Sequence, residues 1–145
     1  MEPIHILLVE DNEGDVFLTT EALHESKINN RVSIVKDGWE AMQFLEKKGA
    51  YANVSSPDLV LLDVNLPKMN GHEVLMALKA NESIRHIPVI MLTTSSSDKD
   101  IYLSYKNYVN CYITKPIDAG DFLKVVASIE NFWISIVKLP KVLSN

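Results

Sequence analysis

Five short runs of Val, Ile and Leu, each separated from the next by a stretch with helical spacing, constrain this chain more than any other feature. The runs cover residues 4–9, 32–35, 59–62, 89–92 and 111–114. Most are apolar at nearly every position, the pattern of parallel strands covered on both faces. Helices are expected at about residues 13–26, 38–48, 71–81 and 98–108, with a fifth from Ala119 onward. Alternating strands and helices imply right-handed crossovers and a doubly wound α/β fold, a five-stranded parallel sheet with five helices. For five strands the common order is 2-1-3-4-5, which puts the ligand crevice at the carboxyl ends of strands 1 and 3.

The 145 residues suffice for one domain with a proper core. Residues 1–130 are expected to form its body and residues 131–145 a C-terminal helical extension and tail of the same domain. A formal charge of -5 argues against a nucleic-acid surface, which needs clustered Lys and Arg. A single cysteine, Cys111, suits a reducing compartment. The first residues carry no signal-peptide pattern, and the apolar runs are strand-sized, too short to span a bilayer. A cytoplasmic protein without membrane contact is the expectation. Residues 49–57 read as a polar loop, and no second domain is expected after Asn145.

Polar residues with chemistry stand where the strands end. Glu10 and Asp11 close strand 1, Asp63 strand 3, Thr93 strand 4, and Lys115-Pro116 strand 5. Parallel strands point the same way, so these side chains should meet at one edge. Three gathered carboxylates repel one another, which raises their pKa values or demands a cation. An all-oxygen site with retained water is what Mg²⁺ prefers. Lysine as a point charge and threonine as a donor suit the oxygens of a transferred phosphoryl group. A carboxylate can itself be the nucleophile, and Asp63 fits because its acidic companions would hold the metal. Taken singly, each of these residues reads as a helix cap or a strand end. Their conjunction on one edge is the signal.

Those residues also carry a resemblance. Val9-Glu10-Asp11-Asn12, Leu61-Leu62-Asp63-Val64-Asn65-Leu66-Pro67 with Gly71, Pro88-Val89-Ile90-Met91-Leu92-Thr93 and Tyr112-Ile113-Thr114-Lys115-Pro116 resemble a response-regulator receiver domain of two-component signalling, over residues 3–129. The resemblance implies a flavodoxin-like fold and phosphoryl transfer to Asp63 from a histidine kinase or histidine phosphotransfer protein. It implies Mg²⁺ held by Asp11, Asp63 and the backbone carbonyl of Asn65, with Glu10 acting through water. Thr93 and Lys115 would contact the phosphoryl oxygens, and Tyr112 would be the aromatic switch that follows Thr93. The module would be a switch with at most slow self-dephosphorylation, not an enzyme with an external substrate. A weaker likeness, in Glu10-Asp11-Asn12 and the tail from Phe132-Trp133 to Pro140, points to small stand-alone regulators serving phytochrome-type kinases.

Some positions depart from the family pattern. The acidic pair is Glu-Asp rather than the commoner Asp-Asp. Thr94 takes a place that often holds a smaller residue and should narrow access to the phosphoryl group. Tyr108 stands where a helix-ending glycine is common, and Asn107 or Asn110 is expected to supply the left-handed turn.

Beyond the crevice, Phe122, Val125, Val126, Ile129, Phe132, Trp133 and Ile136 recur at spacings of three and four along the last helix. Asp118 would be its N-cap, with Asp121 in an acidic first turn, and Pro140 its stop. The tail either bends back on its own domain or forms a patch for a homodimer; helix 4, strand 5 and helix 5 are the other candidate dimer surface. Tyr102, Tyr105 and Tyr108 repeat every three residues, a packing stripe or a partner surface. His5, His24, His72 and His86 lack metal-ligand spacing and read as surface or satisfied polar residues. Two other classes compete. A phosphohydrolase with an aspartate nucleophile would commonly carry a second acid at the position of Asn65, and a flavodoxin-like carrier would need a phosphate-cradling loop where Glu10-Asp11 stand.

Overall fold

Leu and Val at every position of residues 59–62 leave no face for water, and that segment forms a strand buried throughout. The same holds for Val89–Thr93. The structure, a computed structural model, describes residues 3–25 and 29–116 together with 118, 120, 121 and 124. Strands β1 (Ile4–Val9), β2 (Asn30–Val35), β3 (Leu59–Leu62), β4 (Val89–Thr93) and β5 (Cys111–Thr114) form one parallel sheet in the order β2-β1-β3-β4-β5. Helices α1 (Glu13–Glu25), α2 (Gly38–Leu45), α3 (Gly71–Ala80) and α4 (Asp98–Lys106) connect them. Successive side chains of a strand point to opposite faces, so β1 supplies both halves of the core. Leu7 and Val9 join Phe44, Leu62, Leu75, Leu78 and Met91 on the face covered by α2 and α3. Ile6 and Leu8 join Leu23 of α1, Leu61, Ile90 and Leu92 on the other.

Of the five helices expected, four are formed among the described residues, α1 running up to Glu25, with its expected last residue, Ser26, outside them. The fifth is seen at its start, where Asp118 Oδ1 accepts the Asp121 amide at 2.7 Å as the expected cap. The apolar stripe Phe122, Val125, Val126, Ile129, Phe132, Trp133 and Ile136, with Pro140 and the extension 131–145, lies outside the described residues.

Helix ends show where local rules compete. The serine run supplies a cap, since Ser97 Oγ accepts the Asp100 amide at 3.1 Å. At the other end of α4 the left-handed residue is Tyr108 itself, with φ 68°, and neither Asn107 nor Asn110 takes that role. The amides of Tyr108 and Val109 bond the carbonyls of Tyr105 and Ser104, the paired closure of a Schellman turn. Val109, buried just beyond, fixes the turn at this register, so tyrosine is forced into the conformation glycine would take. Lys47 does the same after α2, with φ 57°, and ends that helix short of the expected residue 48. The polar loop also has more order than its composition suggests. It holds a 3-10 turn, Gly49–Tyr51, whose Tyr51 ring packs 5.0 Å from Phe44.

Candidate functional site

Strand register decides what meets at the carboxyl edge. Val9 lies beside Leu62 and Val35, Leu62 beside Met91, and Thr93 beside Thr114. Glu10 and Asp63 are therefore level with each other and with Leu92 and Ile113, while Thr93 and Lys115 stand one and two residues further along the same edge. Backbone bonds continue the ladder past the strands. The Glu10 amide reaches Val35 O at 3.0 Å, the Asp63 amide Val9 O at 3.2 Å, and the Lys115 amide Thr93 O at 2.7 Å. This brings Glu10, Asp63 and Lys115 together at the point between β1 and β3 where the strand order reverses.

Lys115 is the centre of the cluster. Its Nζ donates to Glu10 Oε1, to Asp15 Oδ2 at 2.9 Å and to Asp63 Oδ2 at 3.0 Å. The ammonium, Glu10 and Asp63 are all buried; their side chains are 6%, 3% and 8% exposed. Buried charges persist only when paired and hydrogen-bonded, and this arrangement meets both conditions. Burial pushes Glu10 up to about 7, with the neighbouring Asp63 charge adding to it against the hydrogen bond from Lys115. Burial opposes the charge on Lys115, but the bonds it donates to Glu10, Asp15 and Asp63 outweigh it and raise its pKa.

Second partners hold the acids in place. Asp63 Oδ1 accepts the Asn65 amide at 3.2 Å, and Glu10 Oε2 accepts the Asn12 amide at 3.2 Å. Gly71 lets α3 approach the site, because a Cβ there would stand 2.1 Å from the Asp63 carbonyl oxygen. The Asn70 capping box starts α3 at that residue.

Thr93 is fully buried at the end of β4, with Oγ1 accepting the Ser95 amide at 3.3 Å. Tyr112 on β5 donates its hydroxyl to Ser95 O at 2.8 Å. Asn65 and Asp11 are exposed beside the crevice. Thr94 lines a cavity of about 200 Å³ with Asp15, Leu18, Thr19, Lys115 and Pro116.

Asp15 was not singled out from the sequence. Among the described residues, Glu10, Asp15 and Asp63 each place a carboxylate oxygen within 4.8 Å of the others, a set that could hold a metal ion and that does not include Asp11. The signal was present in Asn12-x-x-Asp15. Asn12 Oδ1 accepts the Asp15 amide at 2.9 Å, which starts α1 and sets Asp15 on its first turn over the crevice. Oxygen donors in this number and charge suit a divalent cation. His72 bridges to Asp100 at 2.8 Å and His5 is buried between Ser33 and Ser55, so both bear out the hydrogen-bonded alternative expected for them.

A doubly wound α/β protein with a buried carboxylate–lysine crevice at its switch point can bind a cation and an anion side by side. That class narrows on comparison with known proteins, for residues 6–127 match the response regulator receiver domain model. The chain belongs to the response regulator receiver domain family. It is 46% identical over 138 residues to the response regulator Rcp1 of Synechocystis sp., covering 95% of this chain and 94% of that one. It is 39% identical over 139 residues to the probable methanogenesis regulatory protein FilR2 of Methanothrix harundinacea, covering 96% and 89%. Among solved structures, the phosphorylated cyanobacterial phytochrome response regulator RcpA superposes with a TM-score of 0.79 at 47% identity, over 92% of this chain and 96% of that one. The Mn²⁺-bound form of Rcp1 gives 0.77 at 46% identity over the same shares. Among the described residues no helix is long and apolar enough to cross a membrane.

Proposed function

We propose that this protein is a stand-alone cytoplasmic response regulator that takes a phosphoryl group on Asp63 from a phytochrome-type histidine kinase. The observation that carries the reading is the buried Asp63–Lys115 pair, 3.0 Å apart at the switch point of the sheet. Likeness to Rcp1 and RcpA over nearly their whole lengths supports the kinase class. An Asp63 carboxylate oxygen forms the new P–O bond as the P–N bond of a phosphohistidine breaks, and the leaving imidazole takes up a proton. Asp11, Asp63 and the Asn65 carbonyl would hold Mg²⁺, with Glu10 acting through water. When bound, the ion neutralises charge between the incoming phosphate and the carboxylates. Lys115 receives phosphoryl oxygen charge, and Thr93 donates its hydroxyl to another of those oxygens.

Output follows from Ser95. Its amide is bonded to Thr93 and its carbonyl to Tyr112, so a Thr93 hydroxyl drawn toward phosphate releases one end of the β4–α4 loop. Tyr112 then turns inward and remodels the surface of α4 and β5, biasing an existing equilibrium. Tyr102, Tyr105 and Tyr108 stand 64%, 51% and 77% exposed there. They do not form a packing stripe, and a partner face is the better reading. No catalytic turnover of an external substrate is proposed.

Transfer from an autophosphorylated phytochrome-type kinase, with radiolabelled phosphate and Mg²⁺, tests this. Label should move to the regulator and be lost on adding hydroxylamine. Label that stays on the kinase, while a small phosphodonor still labels the regulator, would show that a different kinase class is the partner.

A further inference from the structure

We infer that Asp15 is a positioning residue of the phosphoryl site, a tether that holds the Lys115 ammonium until a phosphoryl oxygen replaces it. This rests on the reading of Asp63 as the phosphoacceptor. An ammonium has three N–H donors and no acceptor. All are engaged: Glu10, Asp15 and Asp63 each take one, and none is left for an incoming phosphate. For Lys115 to bond a phosphoryl oxygen, a carboxylate must let go.

The three are not equally able to do so. Glu10, 3% exposed, has no open solvent to rotate into, and Asp63 would itself carry the new group. Asp15 is 29% exposed and borders the cavity shared with Thr94 and Lys115. Its main chain stays fixed by the Asn12 cap, so release needs only rotation of the side chain into solvent. An acidic residue in a first helical turn is commonly a surface partner of the helix dipole. That account leaves unexplained why this one bonds a lysine that is 6% exposed.

The tether has a direction. While Asp15 holds Lys115, it withholds a donor and adds a negative charge facing an anionic phosphodonor. Removing the charge should therefore speed phosphorylation. Glu13, two residues earlier, provides a control, because its 88% exposed side chain pairs with Lys36 and does not touch Lys115.

The experiment uses the full chain in four forms: wild type, Asp15→Asn, Asp15→Glu and Glu13→Gln. Two quantities are read: the rate of labelling by phosphoramidate with Mg²⁺, and hydrogen exchange at the Lys115 ammonium by nitrogen-detected NMR without phosphate. Asp15→Asn should label about fivefold faster, the scale of one unit charge at contact range in water. Its Lys115 ammonium should exchange faster than in wild type. Asp15→Glu, which keeps the charge, should retain slow exchange, and Glu13→Gln should match wild type in both readouts. An unchanged labelling rate or an unchanged ammonium exchange in Asp15→Asn overturns the tether. A wild type that takes no phosphate contradicts the phosphoacceptor reading instead, and the ammonium exchange still decides the tether.

Discussion

The Tyr112 hydroxyl donates to the carbonyl oxygen of Ser95 at 2.8 Å, tying the edge strand β5 to the loop that follows β4. The same serine donates its amide to Thr93 at 3.3 Å and its hydroxyl to Asp100 at 2.6 Å. One residue thus joins the buried threonine, the aromatic ring and the first turn of α4. Thr93→Ala should still accept phosphate while losing most of the response at α4 and β5. Amide chemical shifts with and without phosphodonor measure this. Shifts across residues 98–114 as large as in wild type would mean that the response takes another path.

Gly71 should be intolerant of a side chain. Its missing Cβ would overlap the Asp63 carbonyl, backbone against backbone, with no flexible group to yield. Gly71→Ala should cost about 1–3 kcal/mol in urea unfolding and slow phosphorylation as well, since Asp63 must shift. A variant as stable and as readily labelled as wild type would show that the β3–α3 turn relaxes freely.

Tyr108 offers the opposite case. Its φ of 68° is strained for a side chain that is largely exposed and gains little from burial. Tyr108→Gly should stabilise the fold by about 0.5–1 kcal/mol, the left-handed penalty less the extra chain entropy of glycine. Denaturant midpoints test it, with a drop in midpoint as the contrary result.

Acid should weaken the protein through His5. Burial lowers its pKa first, with the charge of Arg31 adding to the effect. The folded state therefore favours the neutral ring, while the unfolded chain binds a proton near the ordinary value of 6.5. Stability from this group is present above that pH and falls as the pH drops below it. His5→Gln should flatten the dependence of melting temperature on pH in that window. An equal acid slope in both proteins would assign it to other groups.

Mg²⁺ should raise the melting temperature of the unphosphorylated protein. An ion that binds only the native state contributes about 2.7 kcal/mol at a hundredfold excess over its dissociation constant. Asp11→Ala should remove most of that gain. Equal gains in the two proteins would locate the ion away from Asp11, with Asp15 the next carboxylate to remove.

Much of this was legible before the structure, for a physical reason. Continuous apolar runs mark β1 and β3, which are buried on both faces, and a shorter run marks the half-buried β5; all three run over the expected residues, and the ends of parallel strands share an edge. Glu10, Asp63 and Lys115 were placed by that logic alone. Asp15 escaped it because it sits on a helix, and only the set of α1 against the sheet brings it over Lys115. Tyr108 escaped because tertiary burial of Val109, not local propensity, fixes where α4 turns. The tyrosine spacing of three was ambiguous from the start. Periodicity marks a stripe along a helix, but cannot say whether a neighbour covers it.

Covalent trapping tests most directly whether Asp63 carries the phosphate. Wild type and Asp63→Asn would be treated with phosphoramidate and Mg²⁺, reduced with borohydride and mapped by mass spectrometry of peptides. Reduction should fall at residue 63 in wild type, with one phosphoryl group per chain, and at no residue in Asp63→Asn, with both proteins folded. Equal labelling of Asp63→Asn, or trapping in wild type at a residue other than 63, would contradict it.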